Sequence, residues 1–242
     1  MCVRTLSATD AVLVWLTLLA GAAAPACGGT ISVHASLADH KPFAGAVITV
    51  QAAAHAAVAP VSAIVDQINL AFVPDVIAIP VGSTVQFPNS DSVSHQIYSF
   101  SPTKRFKLPL YHGEPYPPVH FDQVGIVTLG CNIHDKMVGY IFVTDAAYFG
   151  RTDASGNWTA TNVPRGTYHV SLWHPLLRES VASLERDVVV ASDEPAKLEV
   201  QLAQALRPAP LASNSRSRDL RGRAWSGSTR SRFGSATHTA SW

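Results

Sequence analysis

Cysteine and charge are both scarce in this sequence. The chain of 242 residues contains 3 Cys, and only 14% of its residues are charged, giving a formal net charge of +1. Three cysteines are too few for a disulfide scaffold. Cys2 and Cys27 flank an N-terminal apolar segment, so Cys131 is the one thiol inside the body of the protein. Hydrophobic residues make up 47% of the chain, which excludes a wholly disordered protein.

Several enzyme motifs are absent as well. The sequence contains no G-x-S-x-G, no P-loop and no H-E-x-x-H. No two His stand in an H-x-H arrangement, which the trinuclear cluster of a multicopper oxidase would require. We therefore expect a protein that is not an enzyme, and we expect no nucleic-acid partner.

The longest apolar run is at the N-terminus. Residues 11–24 form a run of 14, shorter than the roughly 18 to 20 residues that a bilayer-spanning helix needs. With Arg4 before it and Ala24-Pro25-Ala26 after it, the run predicts a signal peptide over residues 1–26 and a periplasmic protein with no transmembrane segment after cleavage. A lipid anchor at Cys27 is a less favoured alternative, because Ala24 stands where lipoprotein sites usually have Leu. A buried N-terminal helix is a second alternative.

The body of the chain has the pattern of a β protein. Short runs rich in Val, Ile, Phe and Tyr are bounded by Pro, Gly, Asp and Asn. They predict strands at 30–36, 46–51, 76–79, 84–87, 95–100, 105–110, 124–129 and 138–143. So many short strands favour an all-β antiparallel sandwich or barrel. The Ala-rich stretch 51–61 predicts a short helix or a loose crossing that Pro60 ends.

A second unit and a basic tail follow. Turn signals at 153–156 and 164–166 and the alternating stretch 168–173 predict a small antiparallel sandwich over residues 146–206. From 207 to 242 there are seven Arg and one acidic residue, with no apolar period, which predicts a disordered basic tail. The tail has either no specific role or an acidic or anionic-lipid partner.

Four potential metal ligands stand in a compact pattern. Cys131, His134 and Met137 form C-x2-H-x2-M between two predicted strands, and His95 lies 36 residues upstream of Cys131. Two imidazoles and a thiolate with a weak axial thioether are the ligand set of a blue-copper centre. Thiolate and thioether favour Cu(I), while imidazole suits both oxidation states. Zinc is the alternative metal, and it fits this ligand set less well.

This pattern resembles the cupredoxin family, most closely the amicyanin type, which has the same C-x2-H-x2-M loop. The block 82–91 before His95 is similar to the cupredoxin strand that leads to the first His ligand, and most of residues 28–204 resembles exported bacterial proteins labelled methylamine utilisation proteins. The resemblance implies a Greek-key β-sandwich with one type 1 copper, His95, Cys131 and His134 as equatorial ligands, and Met137 as axial ligand. It also implies redox partners such as a dehydrogenase or a cytochrome.

The resemblance has one departure and one extension. Gln96 follows the first His, where the family commonly has an Asn that ties the two ligand loops together, so Asn89 or Asn132 is expected to take that role. The second unit resembles carboxypeptidase regulatory-like, transthyretin-like domains, through the turn at 152–156 and the segment 163–168.

The expected organisation is therefore a signal peptide at 1–26, a cupredoxin domain at 27–145, a regulatory-like β-sandwich at 146–206 and a basic tail at 207–242. The expected function is that of an exported one-electron carrier. The alternative is a protein that sequesters or delivers copper without redox work, or that recognises a surface.

Overall fold

We describe a computed structural model of the chain, covering residues 28–52, 57–113 and 115–208. Within these ranges the protein has β-strands and one short 3-10 helix at Val181–Leu184, with no α-helix, which confirms the all-β prediction. Among these residues no helix has the length and apolar character needed to cross a membrane. The predicted signal peptide, Cys27 and the tail from residue 209 onward lie outside the described ranges.

Seventeen strands follow one another along the described residues. In chain order they are β1 (Gly29–Ser36), β2 (Val47–Ala52), β3 (Ser62–Ile64), β4 (Asp66–Ile68), β5 (Ala71–Val73), β6 (Val76–Pro80), β7 (Ser83–Gln86), β8 (Ile97–Ser101), β9 (Lys104–Lys107), β10 (Val119–Phe121), β11 (Gly125–Cys131), β12 (Val138–Thr144), β13 (Tyr148–Arg151), β14 (Asn157–Val163), β15 (Gly166–Trp173), β16 (Arg186–Val190) and β17 (Ala196–Gln201). The predicted strands correspond to longer members of this series. Strands β3, β4, β5 and β10 have three residues each, too few to show a period in sequence.

The middle of the chain forms the first sandwich. A five-stranded sheet in the order β6-β12-β11-β8-β9 and a three-stranded sheet in the order β10-β7-β3 share one apolar core. Phe87, Phe121, Leu129 and Ile141 are among the fully buried side chains of this core. The β4–β5 hairpin adds Phe72 to it. Alternation along β11, with Val127, Leu129 and Cys131 buried, directs every second residue into the core.

The second sandwich combines the start of the described chain with its end. Its sheets have the orders β13-β2-β15-β16 and β14-β1-β17. Strand β1 lies between β14, which is antiparallel to it, and β17, which is parallel, while β2 lies between β13 and β15. Ile31, Val33, Ile48 and Val50 are therefore buried in the same core as Val170 and Leu172.

This pairing corrects the predicted extent of the first domain, residues 27–145. Residues 29–52 fall within that predicted domain because they are continuous with it in sequence. Their strands, however, complete the sheets of the second unit. The physical reason is that strands satisfy their backbone hydrogen bonds with neighbours in space, whatever their separation along the chain. The unit expected at 146–206 could not close two sheets without β1 and β2.

The two sandwiches contact each other through aromatic and branched side chains. Trp173 of β15 lies 6.1 Å from Tyr140 and 5.2 Å from Phe142 between ring centroids, both on β12. Val47 and Val76 belong to the same small buried cluster. This contact covers part of the outer face of the five-stranded sheet, at its β6–β12 side.

Candidate metal centre

His95 lies two residues before β8 and is held in place by its own backbone. Its N–H donates to the Tyr111 carbonyl oxygen, and its own carbonyl accepts from the Tyr111 N–H, both at 3.0 Å. The imidazole is fully buried. Because both backbone groups are paired, the ring enters the core from a fixed position.

Cys131 is the last residue of β11 and lies beside His95 because their strands are neighbours. Cys131 pairs with Ile97 in the antiparallel register of β11 and β8. The thiol is 2% exposed and is the free cysteine of the described residues. Antiparallel pairing thus brings together two residues that are 36 positions apart in sequence.

His134 comes from the turn that follows Cys131. The turn is closed by the Met137 N–H, which donates to the His134 carbonyl oxygen at 2.8 Å. His134 is partly exposed, whereas Met137 is 2% exposed and belongs to the same buried cluster as Cys131. The C-x2-H-x2-M spacing therefore puts its first and third members in the core and its second at the protein surface.

Three donor atoms form a small triangle. Nδ1 of His95 is 3.6 Å from Sγ of Cys131 and 3.1 Å from Nδ1 of His134, and the Sγ of Cys131 is 3.8 Å from Nδ1 of His134. Two imidazole nitrogens and one thiolate held about 2.0–2.3 Å from a common ion in a trigonal plane would be separated by roughly 3.4–3.7 Å. The observed separations of 3.1–3.8 Å lie on both sides of this range, so the triangle has about the size that one transition-metal ion requires. Among the described residues, these three make up the one cluster of metal-ligating side chains.

Asp91 orients the buried imidazole, a role that sequence analysis did not assign. Its Oδ2 lies 2.9 Å from Nε2 of His95. The carboxylate also accepts from the backbone N–H groups of Asn69 at 2.7 Å and Leu70 at 2.8 Å. A carboxylate on the outer nitrogen leaves Nδ1 free to bind a metal. The four-residue spacing from Asp91 to His95 was the signal that could have identified it.

The ionised form of Asp91 is favoured by its surroundings. Partial burial opposes the charge, but the hydrogen bonds from Leu70, His95 and Asn69 outweigh burial and lower the pKa of Asp91. The carboxylate is thus charged near neutral pH, so it can hold an N–H on the outer nitrogen of the ring.

Asn89 and Asn132, the two residues expected to tie the ligand loops together, make different contacts in the structure. The side chain of Asn89 donates to the carbonyl oxygens of Val93 at 2.9 Å and Tyr111 at 3.0 Å, and it accepts from the Asp91 N–H at 3.1 Å. Asn89 therefore braces the loop before His95. The loop of Cys131 is tied to this region by a main-chain bond instead, from the Asn132 N–H to the Gln96 carbonyl oxygen at 3.1 Å.

A buried polar network supports the same loop from the side of the core. Gln67 donates its amide N–H groups to the Tyr111 hydroxyl at 2.6 Å and to the Pro88 carbonyl at 2.9 Å. The Tyr111 hydroxyl in turn donates to the carbonyl of Phe87. Burial is the main cause that raises the pKa of Tyr111 to about 12. The hydroxyl therefore stays protonated and keeps its position as donor.

Comparison with solved structures yields copper proteins. A Cu-containing nitrite reductase from Thermus scotoductus aligns over 40% of this chain at 31% identity and a TM-score of 0.32, and the chain spans 25% of its length. A purple cupredoxin from Nitrosopumilus maritimus aligns over 34% of this chain and 96% of its own, at 29% identity and a TM-score of 0.30. A reduced amicyanin variant aligns over 34% of this chain and 80% of its own, at 21% identity and a TM-score of 0.32.

These alignments are partial, and at TM-scores of this size they do not establish membership in a family. No family model matches the chain, and no curated protein matches it.

Proposed function

We propose that this protein is an exported type 1 copper protein of the cupredoxin kind that carries single electrons between redox proteins. The observation that carries the proposal is the triangle of two imidazole Nδ1 atoms and one Sγ within 3.8 Å of one another. His95, Cys131 and His134 would hold the ion as equatorial ligands, and Met137, buried in the same cluster as Cys131, would be the axial ligand. Copper, when bound, supplies a one-electron couple between Cu(II) and Cu(I).

The residues around the site hold the ligands in place before any metal arrives. Tyr111 fixes the backbone of His95, Asp91 fixes its ring, and the pairing with Ile97 fixes Cys131. Ligands that cannot move adapt little when the charge at the site changes. Small rearrangement is the property that favours fast electron transfer, and it argues for a carrier.

Access to the site is one-sided. Burial of His95, Cys131 and Met137 excludes water from the interior side, whereas His134 is partly exposed. Ile133, beside it, is 50% exposed. His134 would therefore be the edge at which a partner approaches. The partners would be redox proteins such as a dehydrogenase or a cytochrome.

Export to the periplasm rests on the N-terminal sequence, and the type of partner rests on the chemistry of the site. A lipid anchor at Cys27 stays the less favoured alternative. Whether methylamine metabolism is involved depends on the partner. The second sandwich would position the copper domain, because its Trp173 packs against Tyr140 and Phe142 of β12.

Visible spectroscopy of the copper-loaded protein tests the proposal. We expect an intense thiolate-to-Cu(II) band at about 600 nm that bleaches with reductant and returns with oxidant. Cys131→Ser should abolish the band, because no other ligand supplies the thiolate. His112→Ala is the matched control: it removes an exposed imidazole of a nearby loop and should leave the band unchanged.

Two outcomes would count against the carrier. A protein with Cys131 intact that binds copper without the band has a different kind of metal site. A band that does not recover through repeated cycles of reduction and oxidation would favour the alternative, a protein that sequesters or delivers copper.

A further inference from the structure

The outer face of the five-stranded sheet is covered on one side only. Its β6–β12 side contacts Trp173 of the second sandwich through Tyr140 and Phe142. On its β8–β9 side, the rings of Tyr98 and Phe100 contact each other at a tilt, with 4.9 Å between centroids, and Phe100 is 71% exposed. An exposed pair of aromatic rings is the kind of surface that marks an interaction site.

Two basic side chains accompany these rings on the same face. In the antiparallel register of β8 and β9, Tyr98 is opposite Lys107 and Phe100 is opposite Arg105, so the paired side chains share one face of the sheet. Arg105 and Lys107 are both exposed. Neither forms an ion pair within the described residues, whereas the neighbouring Lys104 pairs with Asp122 at 3.1 Å.

The segment that carries this surface has no acidic residue of its own. Residues 92–113 include Lys104, Arg105 and Lys107 and no Asp or Glu. Among the residues that line the hollow beside the rings, Asp135, in the turn after Cys131, is the acidic one. The face is thus aromatic at its centre and basic at its β9 edge. We call Tyr98, Phe100, Arg105 and Lys107 the aromatic-basic face.

This face lies next to the metal centre. The ring of Tyr98 covers Gly130, the residue bonded to Cys131, so closely that a Cβ at Gly130 would be 2.8 Å from the ring. A surface hollow of about 220 Å³ is lined by Tyr98, Phe100, Cys131 and Met137, among other residues. A molecule bound on the face would therefore contact Tyr98, whose ring lies against the residue that precedes Cys131.

We propose that the aromatic-basic face is a docking surface for a redox protein with an acidic surface, separate from the approach at His134. The inference rests on the proposed function. The carboxylates of the partner would meet Arg105 and Lys107, and an apolar group of the partner would cover Phe100. One electron would pass between the two proteins, with no bond formed or broken.

Charge distinguishes this partner from two other occupants. The C-terminal segment of the chain, with seven Arg and one Asp from residue 207 onward, would be repelled by Arg105 and Lys107. A second copy of the chain would oppose the same positive charges across a symmetric contact. An acidic partner is the occupant whose charge is complementary to the face.

The probe for the test is a basic cytochrome c whose lysines have been succinylated, compared with the same cytochrome before modification. The two have the same haem and opposite surface charge. At low ionic strength, stopped-flow mixing of the reduced copper protein with the succinylated ferric cytochrome should be about tenfold slower for Arg105→Glu/Lys107→Glu than for the unaltered chain. Added salt should remove the difference. Phe100→Ser, which keeps the charges of the face, should slow the reaction with the succinylated cytochrome by roughly three- to tenfold.

A matched control reverses two positive charges of the second sandwich, with Arg165→Glu/Lys197→Glu. This variant should react at the rate of the unaltered chain. Equal slowing by the two double variants would mean that net charge alone guides the partner, and it would overturn the docking surface. So would an unchanged rate for Arg105→Glu/Lys107→Glu.

A second readout does not depend on copper. In a nitrogen-15 NMR titration of the metal-free chain with succinylated ferrous cytochrome, amide signals of residues 98–107 should shift or broaden. Changes confined to the C-terminal arginines, or to residues around His134, would overturn the proposal. If the copper-loaded chain lacks the thiolate-to-Cu(II) band but these amide signals still shift, the proposed function is wrong and the docking surface is retained.

Discussion

The two sandwiches bury different kinds of side chain. The first encloses His95 and Gln67 without solvent exposure, and Asn89 at 4% exposure. Over the described residues of the second, the buried polar side chains are two threonines, Thr49 and Thr152, and the core cluster is apolar. A buried imidazole or amide costs stability unless it is hydrogen-bonded. The contrast indicates that the first sandwich is organised around a chemical site, whereas the second is built for stability.

The largest expected effect comes from a substitution that destabilises the second sandwich alone and so tests this difference between the two cores. Leu172→Ala removes a side chain that is 1% exposed in its core, and the cavity should lower the free energy of unfolding by about 2–5 kcal/mol. Because Leu172 lies in the other core, the visible band of the folded copper protein should not change. Urea unfolding and the spectrum measure the two effects separately.

The counterpart is Leu129→Ala in the first core, two residues before Cys131 and also 1% exposed. We expect a similar loss of stability, with a shift of the band in addition. Equal spectral changes in both variants would contradict a division of roles between the sandwiches.

The second test addresses the carboxylate behind the ligand. Asp91→Asn removes the charge that orients His95, so copper affinity should fall by about 10- to 100-fold in a competition titration with a chelator. Asp153→Asn is the matched control in the second sandwich, because Asp153 also accepts from two backbone N–H groups, those of Ser155 and Asn157, both at 2.8 Å. It should leave the copper affinity unchanged. An equal loss of affinity in both variants would show that Asp91 acts through stability alone.

A third and smaller effect concerns the axial position. Met137→Gln should keep copper bound and shift the reduction potential, since an axial ligand tunes the metal more than it holds it. Voltammetry measures the shift, and metal analysis measures the copper content. Loss of copper loading would show that Met137 is needed to hold the ion, contrary to its assignment as axial ligand.

The smallest effect is a pH dependence in the second sandwich. His169 lies 2.9 Å from Asp187 and 3.4 Å from Glu185, and the hydrogen bond to Asp187 is the main cause that raises the pKa of His169 above 6.5. The protonated ring therefore stabilises the fold below about pH 6.5, and this contribution is lost as pH rises through the folded pKa. The pair is largely exposed, so the effect should be under about 1 kcal/mol.

Urea midpoints at pH 5.5 and pH 8.5 measure this contribution in the metal-free chain. His169→Gln should be less stable than the unaltered protein at the lower pH and equal to it at the higher. A difference that is larger at pH 8.5 would mean that the neutral ring, packed on β15, is the stabilising form.

Much of the first sandwich could be predicted from the sequence, because its longer strands alternate apolar and polar residues. The ligand pattern was also visible, since Cys131, His134 and Met137 lie in one turn. Asp91 was not predicted as a positioning residue, because only the structure shows which nitrogen of the His95 ring faces its carboxylate. The sheets that β1 and β2 join were not predicted, because neither strand has a sequence pattern that specifies its neighbouring strands.

The sequence by itself determined local features: an all-β chain, a turn that groups a thiol, an imidazole and a thioether, and one distant His to complete the set. These follow from short-range physics, in which alternation and turn residues act over a few positions. Only the tertiary structure decided which donor atoms meet, that a carboxylate holds the buried ring, and that two rings and two cations share an uncovered sheet face. Such facts depend on strand register, which is fixed by hydrogen bonds and packing between segments far apart in the chain.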